Sequence, residues 1–432
     1  MQLRETSLCD IDLLDRDVFT ERVPHEWFAY LREHAPVYRH PEPDGPGFWV
    51  ITRYDDIVAT NRDWETSSSD QDRGGVVGLE ELIEPGEFEQ GGKLMLTMDP
   101  PEHTRYRKLV NKGFTPRMIN ALEPHIRELA VEIVDGAIAK GTCDFVVDVA
   151  AELPLEAIAE LIGVPLEDRH KIFEWSNRMI GSEDPEYIVS SEATTAAQVE
   201  MFLYAQQLAD DRRRDPSRRQ SGGVTGGRDA GAMATMGDRP DIVTTLLDAE
   251  VDGDRLSELD FNLFFLLLAV AGNETTRNAI SHGLDALLTY PDQYALLVDD
   301  PSRVAVATEE ILRWASPVMY FRRNTTRDHV LGDAEIAAGD KVSLWYISAN
   351  RDESVFDEPF TFDVTRTPNP HIAFGGGGPH FCLGASLARL EIRVLFEELV
   401  QRAPRIERAG ATERLRSNFI NGIKHLPVAL HA

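Results

Sequence analysis

From Ser257 to Tyr290 the chain keeps an unbroken helical pattern, and no other stretch restricts the fold as much. Ser257-Glu258-Leu259-Asp260 begins it as a capping box would, and Pro291 follows its end. At 1.5 Å per residue the helix is roughly 48 Å long, enough to cross a whole domain. Its apolar middle, Phe264 to Ala271, is too short to span a bilayer, so the helix is placed in a protein core. That middle runs into Ala271-Gly272-Asn273-Glu274-Thr275-Thr276. Glycine inside a helix costs up to about 1 kcal/mol against alanine, and threonine can bond the carbonyl one turn earlier. An acid beside two hydroxyls is an odd choice for a purely structural helix. Either the helix carries a groove that uses Glu274 and Thr275, or its surface dips into solvent here.

A second stretch carries the chemistry: Phe374-Gly375-Gly376-Gly377-Gly378-Pro379-His380-Phe381-Cys382-Leu383-Gly384. One cysteine sits among five glycines, and a helical run follows from Ala385 to Leu399. Glycines let the backbone bend close to a large flat ligand. A helix starting just after Cys382 would aim its N–H groups at the sulfur and favour thiolate. Holding ferric iron by a single sulfur needs such an arrangement. The plainer alternative is a glycine-rich turn around an inert cysteine. The glycines are not a dinucleotide loop, because no strand and helix frame them as G-x-G-x-x-G requires.

Two further groupings stand out. Glu310 and Arg313 share a helix face and can pair, although most such pairs lie on surfaces and contribute little. In Asp99-Pro100-Pro101-Glu102-His103-Thr104-Arg105-Tyr106-Arg107-Lys108, the prolines set a helix start. His103 and Arg107 then lie together, while Arg105, Lys108 and Lys112 point to the opposite side. The first face suits carboxylates, which a forked arginine binds bidentately. The second is a basic patch on an otherwise acidic protein, or simply a solvated helix start. His282, His329 and His371 have no paired spacing of the H-E-x-x-H kind, and no Ser-His-Asp arrangement is evident.

The remaining pattern is helix-dominated: residues 24–35, 54–62, much of 99–213 and 300–315. Short strands are expected at 37–39, 48–52, 330–331 and 341–345, with a final hairpin over Asn418 to Val428. Residues 66–95 form a long polar, Gly-rich loop, and 215–240 read as a low-complexity surface insertion. With no linker evident, residues 1–432 read as one domain. A formal charge of -29 disfavours nucleic acid and anionic membranes as partners. Three scattered cysteines make no disulfide framework, and no apolar leader or span is visible, so a soluble, cytoplasmic protein is expected.

The cysteine loop resembles the haem-binding loop of cytochromes P450, F-x-x-G-x-[HR]-x-C-x-G, with Gly378, His380, Cys382 and Gly384 matching. Phe374 lies one residue early, so the loop has one extra glycine. The helix segment matches that family's [AG]-G-x-[DE]-T-[TS] at every position, and the Asp99 and Glu310 segments also occur in family order. The resemblance implies a mainly α fold with small β-sheets, the haem b (iron protoporphyrin IX) lying between the central helix and the cysteine loop. It implies Cys382 as iron ligand, with Phe374, His380 and Gly384 beside the haem, and His103, Arg107 and Arg322 on its propionates. His371 is a weaker propionate candidate. Thr275 would donate to bound O2 and Glu274 relay protons, while Glu310, Arg313 and Arg366 would form a structural triad.

By the same resemblance the protein is a monomeric monooxygenase fed by a ferredoxin and its reductase, since no flavin or NAD segment is present. The outward basic face would dock the electron donor. A haem-thiolate sensor would not need Glu274 and Thr275, and an H2O2-driven peroxygenase typically lacks that pair. The extra glycine, the 271–278 segment and Ser417 to Lys424 look like an actinobacterial branch acting on steroids and methyl-branched lipids. Positions implied near the iron are apolar: Ala271, Val318, Met319 and Phe419, with Val76, Val77 and Leu79 in the loop above. No arginine or lysine stands among them, so a bulky apolar substrate such as a steroid, branched lipid or terpenoid is expected.

Overall fold

The computed structural model describes residues 7–80, 92–111, 114–181, 184–187, 191–214, 242–248, 250–251 and 254–432. Lys112, the 81–91 part of the long loop and the expected 215–240 insertion lie outside the described residues. Five helices build the site: α1 (Glu102–Asn111), α2 (Glu152–Ile162), α3 (Glu258–Thr289), α4 (Val304–Ala315) and α5 (Ala385–Arg402). A five-stranded sheet flanks them: β1 (Val37–His40), β2 (Phe48–Ile51), β3 (Ser67–Ser68), β4 (Tyr320–Thr325) and β5 (Lys341–Trp345). Its spatial order is β1-β2-β5-β4-β3.

The capping box holds the start of α3: Ser257 Oγ accepts from the Asp260 amide at 3.1 Å, and the Asp260 carboxylate accepts from the Ser257 amide at 3.3 Å. Phe264, Phe265, Leu268, Ile280, Leu284 and Leu287 bury the helix in the main core. Its two glycines are contact points. A Cβ on Gly272 would come within 2.9 Å of the Ile158 side chain on α2. One on Gly283 would meet Ile311 of α4 at 2.8 Å and Phe396 of α5 at 2.9 Å. The odd glycine of the central segment thus lets a neighbouring helix approach.

The end of the chain departs from the expected hairpin over 418–428. Glu413–Arg414 pairs with Ile423–His425, while Pro427–His431 joins Arg405–Arg408 and Thr142–Asp144. Between them the polar side chains take the hydrogen bonds a strand ladder would need. Ser417 Oγ accepts from the amides of Phe419 and Ile420, and Asn418 donates to the Leu13 carbonyl. Strand β4 escaped the pattern reading because Arg322-Arg323-Asn324 interrupts its alternation, yet all three side chains are buried.

Glu310 and Arg313 lie on α4 with no solvent exposure, joined by two hydrogen bonds of 2.7 Å. Arg366 reaches the same carboxylate at 3.1 Å. Arg313 also donates to the carbonyls of Asn350, Pro359 and Thr361, so the pair shapes the irregular chain below the helix. Removing one partner leaves a buried charge alone, at a cost of about 3–5 kcal/mol. Glu310→Ala is expected to lower stability by that amount, read from the midpoint of chemical denaturation. A loss under about 1 kcal/mol, as for an exposed pair, would show the network to be dispensable.

Candidate active site

The cysteine loop is shaped by its glycines at one critical place. Gly378 has φ +80°, and a Cβ there would stand 2.3 Å from the Asn61 carbonyl oxygen. The loop then turns back, the Cys382 amide donating to the Phe374 carbonyl at 3.0 Å. The amides of Gly384 and Ala385, at the start of α5, donate to the Cys382 sulfur. Burial nevertheless pushes the thiol up, and those amides with the charges of Arg107 and Arg389 pull it only part of the way down. A metal cation at the sulfur would tip it to thiolate outright. What exposure Cys382 has is to a cavity it lines.

About 1460 Å3 of non-atom space, open solvent at the mouth included, lies within that cavity. One end is cationic. His103, Arg107, His380 and Arg323 converge there. The His103 and His380 rings are 4.2 Å apart; His103 is buried and His380 half-buried, and each has a buried ring nitrogen (Nδ1 and Nε2 respectively) that has no partner among the described residues. Burial, then Arg107, brings His103 down to about 4. His380 is held well below its usual range, chiefly by burial. Arg107 also donates to the Pro379 and Phe381 carbonyls, tying α1 to the loop. Unpartnered ring nitrogens beside two arginines fit the carboxylates of a ligand whose centre lies over Cys382, as haem propionates do.

The expected arginine needs correction. Arg322 donates to Asn324 Oδ1 at 3.0 and 2.7 Å and to the Gly78 carbonyl at 3.3 Å, on the side of β4 away from the cavity. Arg323 faces the cavity instead, its Nη2 donating to Asn61 Oδ1 at 3.1 Å. Successive strand residues alternate faces, so counting one residue off exchanges the two. His371 is not at the cavity: it pairs with Glu309 at 3.0 Å, and its Nδ1 accepts from the Ala373 amide.

The apolar end is also partly redrawn. Ala271 and Val318 line it, as does Phe374. Met319, Val76, Val77, Leu79 and Phe419 do not. Met319 and Leu79 are buried in a separate core with Trp345 and Tyr320, because Met319 points opposite to Val318. Val76 is buried, and its carbonyl accepts from the Arg322 amide, while Val77 is half exposed. Phe419 packs behind the wall, 5.7 Å from the Phe321 ring that does line it. The wall that sequence reading missed includes Met95, Leu96, Phe114, Ile158, Leu268 and Leu312. A signal existed for part of it: Leu267, Leu268, Ala271 and Thr275 share one face of α3 at helical spacing.

Thr275 and Thr276 both line the cavity, Thr275 Oγ donating to the Ala271 carbonyl at 2.9 Å. Glu274 lies off the wall, fully buried and ion-paired with Arg277. Burial raises its carboxyl despite that arginine.

The comparisons agree with this geometry. A family model described as "Cytochrome P450" matches residues 191–403. A steroid C26-monooxygenase of Rhodococcus jostii is 43% identical over 96% of this chain and 84% of its own length. A methyl-branched lipid omega-hydroxylase of Mycobacterium tuberculosis is 41% identical, covering 98% and 95%. A solved Mycobacterium marinum cytochrome P450 in complex with pseudoionone covers both chains fully at 38% identity, with a TM-score of 0.85. The chain belongs to the cytochrome P450 family and is a haem-thiolate monooxygenase.

The two arginines of β4 should separate by experiment. Arg323→Leu is expected to weaken haem retention through purification. Arg322→Leu should keep the haem but expose the 66–80 segment to limited proteolysis. The reverse pattern would return Arg322 to the cofactor.

Proposed function

We propose that this chain hydroxylates an unactivated carbon of a bulky, mainly apolar molecule, such as a steroid, a methyl-branched lipid or a terpenoid. The observation that carries this is the division of the cavity, with its cationic groups gathered at one end and the wall around Ala271 and Thr275 apolar. Apolar surface buried there contributes about 25 cal/mol per Å2, which rewards a large hydrocarbon. The names of the two curated relatives point to the same substrate class.

In this reading Cys382 binds the haem iron, and His103, Arg107, His380 and Arg323 take the propionates. The bound haem supplies oxygen activation, which an axial thiolate favours by pushing electron density towards the iron. The protein's residues position and shield. Met95, Leu96, Ile158 and Leu268 exclude water from the reacting carbon, and the Thr275 hydroxyl can present a hydrogen-bond donor on the helix face by turning from the Ala271 carbonyl. Electrons come from a ferredoxin and its reductase, docking where Arg105 and Lys108 lie exposed on α1. Among the described residues no helix is long and apolar enough to cross a membrane.

Three measurements test the proposal. Cys382→Ser should lose the long-wavelength band of the reduced, CO-bound protein that gives the family its name, and an unaltered band would remove Cys382 as the ligand. Titration at the Soret band should show tight shifts with sterols, terpenoids or branched fatty acids. Shifts with small aromatic acids alone would overturn the substrate class. Thr275→Ala should keep haem and substrate binding while diverting reducing equivalents to hydrogen peroxide, and unchanged coupling would make Thr275 structural.

A further inference from the structure

Helix α4 ends at Ala315, and its last carbonyls find no partner further along the helix. Before β4 begins, the chain passes the cavity, and Pro317 and Val318 line it. It arrives there by an uncommon turn. Ser316, buried and not a glycine, has φ +40°, in the left-handed region, and Asn350 donates to its Oγ at 2.8 Å. The second support of this turn is Asn421, which is buried and stands outside the cavity wall. Its Nδ2 donates to the Ala315 carbonyl and its amide to the Pro317 carbonyl at 2.8 Å, one hold on either side of Ser316. Its Oδ1 accepts from Arg414 at 2.8 Å, and its own carbonyl accepts from His282 Nε2, on α3, at 3.0 Å. Burial, then the charge of Arg414, holds His282 below its usual range, so a neutral ring donates that hydrogen. Every polar atom of Asn421 therefore has a partner.

We propose that Asn421 is a positioning residue for the substrate: it sets how far Pro317 and Val318 enter the cavity, and thereby which carbon of the hydrocarbon is presented for hydroxylation. The inference rests on the substrate reading given above. A left-handed non-glycine residue persists only where its surroundings over-determine it. Asn421 supplies those surroundings from the end of α4, from the turn itself and from α3. With the clamp released, Ser316 is free to leave that conformation, and Pro317 and Val318 retreat from the cavity. Val318 also pairs with Ile420 in an isolated bridge, and the Met319 amide donates to the Phe419 carbonyl at 2.8 Å, so wall and clamp move as one piece. An isostere isolates the contact. Asn421→Asp keeps the size and the acceptor for Arg414, but sets an oxygen against the Ala315 carbonyl where a donor stood.

The experiment uses the full-length haem-loaded enzyme, with imidazole and 4-phenylimidazole as probes whose ring nitrogen takes the iron and shifts the Soret band. In Asn421→Asp the affinity for 4-phenylimidazole relative to imidazole should rise about tenfold, the low end of what one methylene of pocket space discriminates, with the CO band intact. Val318→Ala should move the ratio in the same sense, and adding Asn421→Asp to it should change little more, because both act on one wall. Asn418→Ala, in the same segment but bonded to the Leu13 carbonyl, should leave the ratio as in the wild type. His282→Phe removes the donor to the Asn421 carbonyl and should raise the ratio too, so the inference stays testable if Asn421→Asp takes up no haem. With cholesterol and phytanic acid as substrates, Asn421→Asp should spread hydroxylation over more positions than the wild type does. A wild-type imidazole ratio in Asn421→Asp or in His282→Phe, or an equal rise in Asn418→Ala, overturns the role of Asn421. A wild type that oxidises neither cholesterol nor phytanic acid overturns the substrate reading instead, and the imidazole ratio still decides Asn421.

Discussion

Arg313 carries a full charge with no solvent contact, and the chain below the cavity is arranged around answering that charge. Glu310 meets it with both oxygens, and three backbone carbonyls from residues 350–361 take its remaining donors. Glu310 in turn accepts from the Asp363 amide, Arg366 and Asn369. A stretch with little regular structure acquires one shape because its polar groups have nowhere else to go. The connection runs on to the cysteine. Asn350, whose carbonyl accepts from Arg313, receives the Ile372 amide on its side chain at 2.7 Å, and Ile372 leads into the glycine run. The position of Cys382 is therefore inherited from a buried ion pair on another helix.

The cavity separates its charges along its length. Donors without partners collect at the His103 end, hydrocarbon side chains occupy the middle, and Glu391 lies where α3 and α5 face one another. The first two regions each suit one part of the task. An amphipathic flat ligand would be oriented by its carboxylates at the first, and a hydrocarbon substrate would be desolvated at the second.

Local signals made much of this legible. The central helix shows itself through its capping box and long apolar run, and Cys382 through glycines that only a close backbone approach requires. Glu310 and Arg313 are three apart, so helix geometry alone pairs them. What sequence could not supply was register and long-range company. Arg322 and Arg323 differ by one position and point to opposite faces of β4, and no composition argument chooses between them. Met319 and Val318 part in the same way. Glu391 carried no motif at all, since its place on the cavity wall comes from burial between two helices distant in the chain. Gly272, read as part of a groove, lines the cavity and also seats the Ile158 side chain.

That seat bears on how such a chain can change what it admits. At Gly272 the backbone of α3 lies against a side chain of α2 with no space for even a methyl group, so the width of the cavity there is fixed by two helices in hard contact. Residues that reach the wall from connecting segments, such as Met95, Leu96, Pro317 and Val318, are under no such restriction. Variation in substrate range is thereby channelled to the loops, and descendants of this scaffold can exchange one hydrocarbon shape for another while the spacing between helices stays as it is.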